Sequence, residues 1–157
     1  MKKDKTSGAR NKDGFRAQKI LVPLDFSDPS RNALRYALTL AQQFGGKLVL
    51  FYALEPVATP DFAYHPLMMA SKEAAAKARH QLAALCRDEG VDAKWVAETI
   101  VREGTAHVEI IEAAKKLGVD LIVIATHGNT GLKHVLLGSV AERVVRHAHC
   151  PVMVVRA

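Results

Sequence analysis

Apolar and polar residues alternate in blocks along this chain, and the blocks are of two kinds. The first kind is a short, almost continuously apolar run, which is typical of a parallel strand buried on both faces of a sheet. These runs predict strands over residues 20–25, 47–54, 94–101, 121–125 and 151–155.

The second kind is a longer segment whose apolar residues recur every three or four positions, which predicts an amphipathic helix. Helices are predicted over residues 27–44, 67–89 and 105–117. A fourth helix is predicted to open at Ser139, because Ser139-Val140-Ala141-Glu142 has the spacing of a capping box.

The alternation of strand and helix predicts an α/β fold: a single Rossmann-like domain in which a five-stranded parallel sheet carries helices on both faces. Ligands of such sheets bind outside the carboxyl ends of the strands, where the strand order reverses. Asp25 closes the first strand at this edge. Its carboxylate suits a ribose hydroxyl, an adenine amine or a metal, or it could join Ser27 in capping the next helix.

The loop after the fourth strand, residues 126–138, has features of a phosphate-binding loop. Gly128 and Gly138 lack a Cβ, so the backbone can approach a ligand closely. The first amides of the helix that follows have no acceptor within the helix, and a phosphate oxygen could accept from them. The Ser139 hydroxyl and the His127 ring could donate to the same group. The alternative is structural: tight turns at the glycines, an N-cap at Ser139 and a loop cap at His127.

The spacing in this loop resembles the nucleotide-binding signature of the universal stress protein family, G-x-x-G-x9-G-[S/T], here Ala125-x-x-Gly128, nine residues, then Gly138-Ser139. The runs ILVPLDFSDPSRNAL and GSVAERVVRHAHCPVMVV are also similar to that family, so the resemblance covers residues 20–157. It implies the strand order 3-2-1-4-5 and a bound adenine nucleotide, ATP with or without Mg²⁺. Together with the loop chemistry, it gives a set of expected nucleotide contacts: Pro23, Leu24, Asp25, Ala53, Ala125, His127, Gly128, Gly138, Ser139 and Val140.

One position departs from the signature, because its first glycine is Ala125 here. A methyl group is small, but a loop that touches a ribose or a phosphate is sensitive to it. Two functions therefore stay open: an ATP-binding stress-response or signalling module, and a ligand-free dimeric interaction protein of the same fold. Under either one, the resemblance implies a homodimer through residues 151–155, a terminal apolar strand at a sheet edge that needs cover.

Two further loop features carry open alternatives. Phe62, Tyr64 and His65 lie in a loop predicted over residues 55–66, and they could roof a purine or plug a groove between helices. Lys133 in the glycine loop could face a phosphate or solvent.

The net charge of +6 is concentrated at the N-terminus. Residues 1–19 hold seven Lys/Arg and two Asp/Glu, a net of +5, and the rest of the chain holds fifteen and fourteen. We expect residues 1–19 to be a disordered basic tail before a domain over residues 20–157. The nearly neutral domain argues against nucleic acid as a partner.

No apolar run has the length of a membrane span or follows the basic start as a secretory signal would, and two cysteines are too few for a disulfide framework. We therefore expect a cytoplasmic protein with no membrane partner.

Catalysis is not expected, beyond slow ATP hydrolysis at most. A hydrolase or transferase needs a nucleophile, a base and a group that orients them. The chain has no G-x-S-x-G, H-E-x-x-H or G-x-x-x-x-G-K-[ST] motif. His147, His149 and Cys150 are metal-ligand types, but no second Cys/His group stands at zinc spacing, so no metal site is predicted.

Overall fold

The predicted parallel sheet is present, with its strands in the predicted order 3-2-1-4-5. The computed structural model describes residues 15–56, 64–128 and 137–156, apart from the side chains of residues 64–70. The strands are β1 (Lys19–Pro23), β2 (Lys47–Leu54), β3 (Val96–Glu103), β4 (Leu121–Ala125) and β5 (Val152–Val155). The predictions of fold class and strand order are confirmed.

Helices cover both faces of the sheet: α1 (Asp28–Phe44), α2 (Tyr64–Asp88), α3 (Ala106–Leu117) and α4 (Ser139–His147). Apolar residues of α1 and α2 pack in one core cluster, and those of α3 and α4 pack in a second. In β1, Ile20 and Val22 belong to the first cluster and Leu21 to the second, and all three are fully buried. A strand covered on both faces needs apolar side chains on both, which explains its unbroken apolar run.

The central strand β1 pairs with β2 on one side and with β4 on the other. The chain moves outward from β1 to β3 and then crosses to the other side with β4. The boundary between β1 and β4 is therefore the point where a crevice is expected at the carboxyl ends of the strands.

Five strand boundaries differ from the prediction by one or two residues: both ends of β1, both ends of β3 and the start of β5. β1 ends at Pro23 instead of Asp25. The Leu24 N–H makes one more bond, to Phe51 O at 2.8 Å, and the chain then turns away from the sheet. β3 begins at Val96 instead of residue 94, since a short 3₁₀ turn precedes it. That turn is capped by Asp92, whose side chain accepts from the Lys94 N–H at 2.9 Å.

The second helix begins earlier than predicted, at Tyr64 instead of Leu67, so residues 64–66 belong to α2 and not to the preceding loop. Pro66 then lies in the first helical turn. Proline is tolerated there because the N–H that it lacks would have no acceptor within the helix.

The domain includes residues that the sequence assigned to the tail. Ala17 is fully buried, and the N–H groups of Gln18 and Lys19 donate to the Asp120 carboxylate at 3.0 and 2.9 Å. Residues 1–14 lie outside the described part of the chain. Within that part, no helix has both the length and the apolar composition needed to cross a bilayer.

Candidate functional site

A crevice of about 720 Å³ opens at the carboxyl ends of β1 and β4. Its lining comes from the ends of β1, β2 and β4 and from the start of α4. All ten residues proposed from the sequence line it: Pro23, Leu24, Asp25, Ala53, Ala125, His127, Gly128, Gly138, Ser139 and Val140. The fold thus gathers residues from three separate parts of the chain around one space.

The N-terminus of α4 differs from the predicted capping box. Gly138, not Ser139, is the N-cap, and the helix has no side-chain cap hydrogen bond. Glu142 does not reach back to the N-cap; its carboxylate pairs with Arg146 one turn later at 2.5 Å. The first intrahelical bond runs from Glu142 N–H to Gly138 O at 2.9 Å, so the amides of residues 139–141 have no acceptor within the helix.

Both glycines of the loop stand where a side chain has no room. The Gly138 N–H donates to Thr126 O at 2.7 Å, which joins the start of α4 to the end of β4. A Cβ on Gly138 would lie 2.9 Å from the same oxygen. A Cβ on Gly128 would overlap Asp25 Oδ2 across the crevice. Each glycine is thus required by a close approach of the backbone to another part of the site.

Asp25 makes the contacts of the capping alternative while it lines the crevice. Its Oδ1 accepts from the Ser27 N–H at 3.1 Å and from the Ser27 hydroxyl. Ser27 is the N-cap of α1, and its own oxygen accepts from the Ser30 N–H at 3.3 Å. These bonds fix the Asp25 carboxylate at the wall of the crevice, where Oδ2 lies against Gly128.

Phe26, the residue after Asp25, is a feature of the site that sequence reasoning missed. It has a φ of 66°, a left-handed backbone conformation that non-glycine residues rarely adopt. Its ring packs against Tyr52 with the ring centroids 4.9 Å apart. The sequence carries no signal for this conformation, because Phe is not a residue that favours positive φ.

The crevice is also lined by polar residues that were not proposed from the sequence, among them Ser30, Tyr52, Glu55 and Thr126. Thr126 could have been found from its place beside the glycine signature. The others become neighbours only when β1, β2 and α1 are assembled.

One predicted contact residue also has a partner within its own loop, and others lie outside the described residues. His127 forms the contact of its loop-capping alternative, with Nδ1 3.0 Å from Thr126 Oγ1. Phe62, Lys133 and the side chains of Tyr64 and His65 lie outside the described part of the chain.

The arrangement suits an elongated ligand with an anionic end. Amides without an intrahelical acceptor and the positive end of the α4 dipole favour an anion near Ser139. The Asp25 carboxylate can accept hydrogen bonds on the opposite wall. Between them the floor is apolar, formed by Phe51, Ile110 and Ile124.

Comparison with known proteins agrees with this architecture. The sequence profile of the Universal stress protein family matches residues 16–156. Universal stress protein MJ0531 from Methanocaldococcus jannaschii is 36% identical over 143 residues, which cover 88% of this chain and 82% of that protein.

Solved structures of the family superpose on this one. The universal stress protein UspA from Lactobacillus plantarum has a TM-score of 0.80 and 27% sequence identity, with 91% of this chain and 100% of that chain covered. A universal stress protein solved in complex with cAMP has a TM-score of 0.59 and 23% identity, covering 90% and 98% of the two chains, and shows a likeness of fold. With a parallel 3-2-1-4-5 sheet, a family profile over nearly its whole length and a relative 36% identical, this chain belongs to the universal stress protein family.

Proposed function

We propose that the crevice binds an adenine nucleotide, and specifically ATP, with its phosphates at the N-terminus of α4 and its sugar or base near Asp25. The observation that carries this proposal is the capping of α4. Gly138, which has no side chain, is the N-cap, so the three consecutive amides of residues 139–141 stand at the crevice end of the helix without an intrahelical acceptor. A phosphate group satisfies such amides and interacts favourably with the helix dipole.

The size and lining of the crevice support a ligand of this class. A volume of about 720 Å³ lies within the range of about 300–1,000 Å³ that is usual for small-molecule sites. The complex of a universal stress protein with cAMP supports nucleotide binding by the fold. The phosphate end would lie at Gly128, Gly138 and Ser139, where side chains are absent or short.

The alanine in place of the first signature glycine is compatible with this proposal. Ala125 is the last residue of β4, pairs with Val155 and is only 7% exposed. Its methyl group therefore adds to the wall of the crevice and is largely buried.

The role that follows is that of a nucleotide-dependent module in stress response or signalling, which acts in the cytoplasm as a homodimer through conformation and partners. Slow ATP hydrolysis is the most that we infer for the crevice.

Calorimetric titration with MgATP tests the proposal. Two variants of Ser139, to Asp and to Asn, differ from each other mainly in charge. Ser139→Asp places a carboxylate at the first residue of α4, where it stabilises the helix but repels phosphate. We expect this variant to lose at least tenfold in affinity with an unchanged or raised melting temperature. Ser139→Asn, of similar size and neutral, should bind within a few-fold of the parent protein. Equal affinities for the Asp and Asn variants would contradict phosphate binding at this helix.

A ligand-free interaction protein is the second candidate, and the extra methyl of Ala125 is the observation that favours it. Heat denaturation of purified protein and chromatography of the supernatant distinguish the two. Released adenine nucleotide, or titratable binding of MgATP, supports nucleotide binding. If a folded protein releases no nucleotide and binds no MgATP, the ligand-free function is supported.

A further inference from the structure

The edge of the sheet opposite the crevice carries an exposed patch of aromatic and basic side chains. We call it the basal patch and define it by Phe15, Phe44, Lys47, Lys94 and Trp95. All five stand at the amino-terminal end of the sheet, because Lys47 opens β2, Phe44 closes α1 and Trp95 immediately precedes β3. The parallel arrangement puts these elements together at the edge far from the crevice.

A chain of direct contacts makes the basal patch continuous. The rings of Phe15 and Phe44 meet edge to face, 5.6 Å apart. Gln18 joins Phe44 to Lys47: its side-chain amide donates to Phe44 O at 2.8 Å, and its carbonyl accepts from Lys47 N–H at 2.8 Å.

The Lys47 ammonium group continues the chain to Trp95. It donates to Lys94 O and lies 5.8 Å from the centroid of the Trp95 ring. The Lys94 ammonium group lies at the same distance from that ring.

The aromatic part of the patch is unusually open to solvent. Phe15 is 54% exposed and Phe44 39% exposed, although a phenylalanine side chain gains by burial. The pair therefore leaves apolar surface uncovered among the described residues.

The surroundings of the patch are basic. Lys94 has one acidic partner, Asp92, at 3.4 Å, and both side chains are more than half exposed, so that pair neutralises little. Further cations lie at the same end of the sheet, Arg16, Lys19, Lys115 and Lys116, together with the acids Asp88, Glu89 and Asp120. The sequence before Phe15 holds five Lys/Arg against two Asp.

We propose that the basal patch docks this protein on the surface of a bilayer that contains anionic lipids. Exposed aromatic rings beside lysines and arginines fit the boundary between headgroups and acyl chains, where the rings enter and the cations meet anionic headgroups. The geometry favours a lipid surface over single-stranded nucleic acid. The two phenylalanine rings stand 74° apart and offer no common stacking plane, and Trp95 is partly buried against the core with a lysine ammonium group on it.

This docking would leave the crevice accessible. The crevice lies at the carboxyl ends of the parallel strands and the basal patch at their amino ends, so a protein held by the patch turns the crevice toward solvent. The proposal does not depend on nucleotide binding, because no residue of the patch lines the crevice.

Flotation of the full chain with vesicles, without nucleotide, tests the proposal. We expect binding to phosphatidylcholine vesicles that contain phosphatidylglycerol, little binding to phosphatidylcholine alone, and release at about 1 M salt, where the screening length is about 3 Å. The paired substitution Phe15→Ser and Phe44→Ser keeps the charge and should weaken binding at least about fivefold. Val108→Ser, on α3 outside the patch and 41% exposed, is the matched control and should bind as the parent does.

A second set of variants tests the basic component without altering the aromatic pair. Lys115→Gln with Lys116→Gln should weaken binding by about fivefold for each lysine removed, whereas Lys72→Gln with Lys77→Gln on α2 should have little effect. Absence of binding to the anionic vesicles at low salt would overturn the proposal. Equal losses of vesicle binding in the phenylalanine or lysine variants and in their controls would also overturn it. So would tighter binding to a single-stranded oligonucleotide than to the vesicles.

Discussion

At Gly128 the limiting factor is space and not backbone conformation. The residue has no positive φ, and its α-carbon lies against the Asp25 carboxylate, where a Cβ would overlap Oδ2. Asp25 is itself held by the Ser27 N–H and hydroxyl, so it cannot move aside without losing these bonds to the N-cap residue of α1. The signature glycine and the acid at the end of β1 therefore form one packed unit across the crevice.

We expect Gly128→Ala to lower the free energy of unfolding by about 1–3 kcal/mol, because the added methyl must displace Asp25 or the loop. The same substitution in an Asp25→Ala background should cost much less, since the obstructing carboxylate is gone. Urea denaturation of the parent, the two single variants and the double variant gives the coupling energy. If Gly128→Ala lowered the free energy of unfolding equally in the parent and in Asp25→Ala, Gly128 would be required for a reason other than its contact with Asp25.

At the scale of elements, a buried acid, Glu89, joins the end of α2 to α1. The Glu89 side chain is only 8% exposed and accepts from Arg35 Nε at 2.6 Å and from Arg31 at 3.4 Å. The hydrogen bond from Arg35 is the largest influence on the pKa of Glu89 and, with the nearby arginine charges, outweighs burial and lowers that pKa below its ordinary value of 4.5. The charged form is thus favoured by the folded protein.

A lowered pKa predicts a stabilising effect that disappears in acid. The contribution of Glu89 is complete above the pKa of the unfolded chain and is lost as the pH falls through the lower folded value. Glu89→Gln should therefore reduce the free energy of unfolding by about 1–3 kcal/mol at pH 7, and the difference from the parent should shrink below about pH 4. Urea denaturation at several pH values measures it. Glu142→Gln is the control: it removes an exposed pair with Arg146 and should lower the free energy of unfolding by less than about 0.5 kcal/mol. If the difference between Glu89→Gln and the parent did not vary with pH, the stabilising role of the charged Glu89 would be contradicted.

At the scale of the whole molecule, β5 lies at an edge of the sheet with one side unpaired within the described chain. Met153 is 38% exposed, while Val152 and Val154 are half-buried. An apolar edge strand invites pairing with a second copy, and a two-fold interface would bring the same strand from both subunits together.

The homodimer proposed through residues 151–155 should therefore be sensitive to charge at Met153. We expect a dimer for the parent protein in analytical ultracentrifugation, and at least a tenfold weaker association for Met153→Lys, which would place two like charges near the two-fold axis. Val108→Lys, a lysine at a comparably exposed apolar position on α3, should leave the association unchanged. A monomeric parent, or equal effects of the two lysines, would mean that residues 151–155 are not the interface.

The sequence by itself determined the class of fold and pointed to a candidate site. Short apolar runs between turn signals are typical of parallel strands, and their alternation with amphipathic helices puts the expected ligand site at the carboxyl ends of the strands. Residues as distant as Asp25, Ala53 and Gly138 were proposed together before the structure brought them to one crevice, but for Ala53, a backbone position, the family resemblance was needed.

The tertiary structure alone decided how these residues act on one another. The sequence predicted a capping box with Ser139 as the N-cap, whereas the N-cap is Gly138, bonded to Thr126 O, and the first amides of α4 have no intrahelical acceptor. The positive φ of Phe26 and the approach of Gly128 to Asp25 likewise have no local signal. Each depends on contacts between elements that are remote along the chain. Hydrophobic patterns and residue propensities report only on residues that are close together in the sequence.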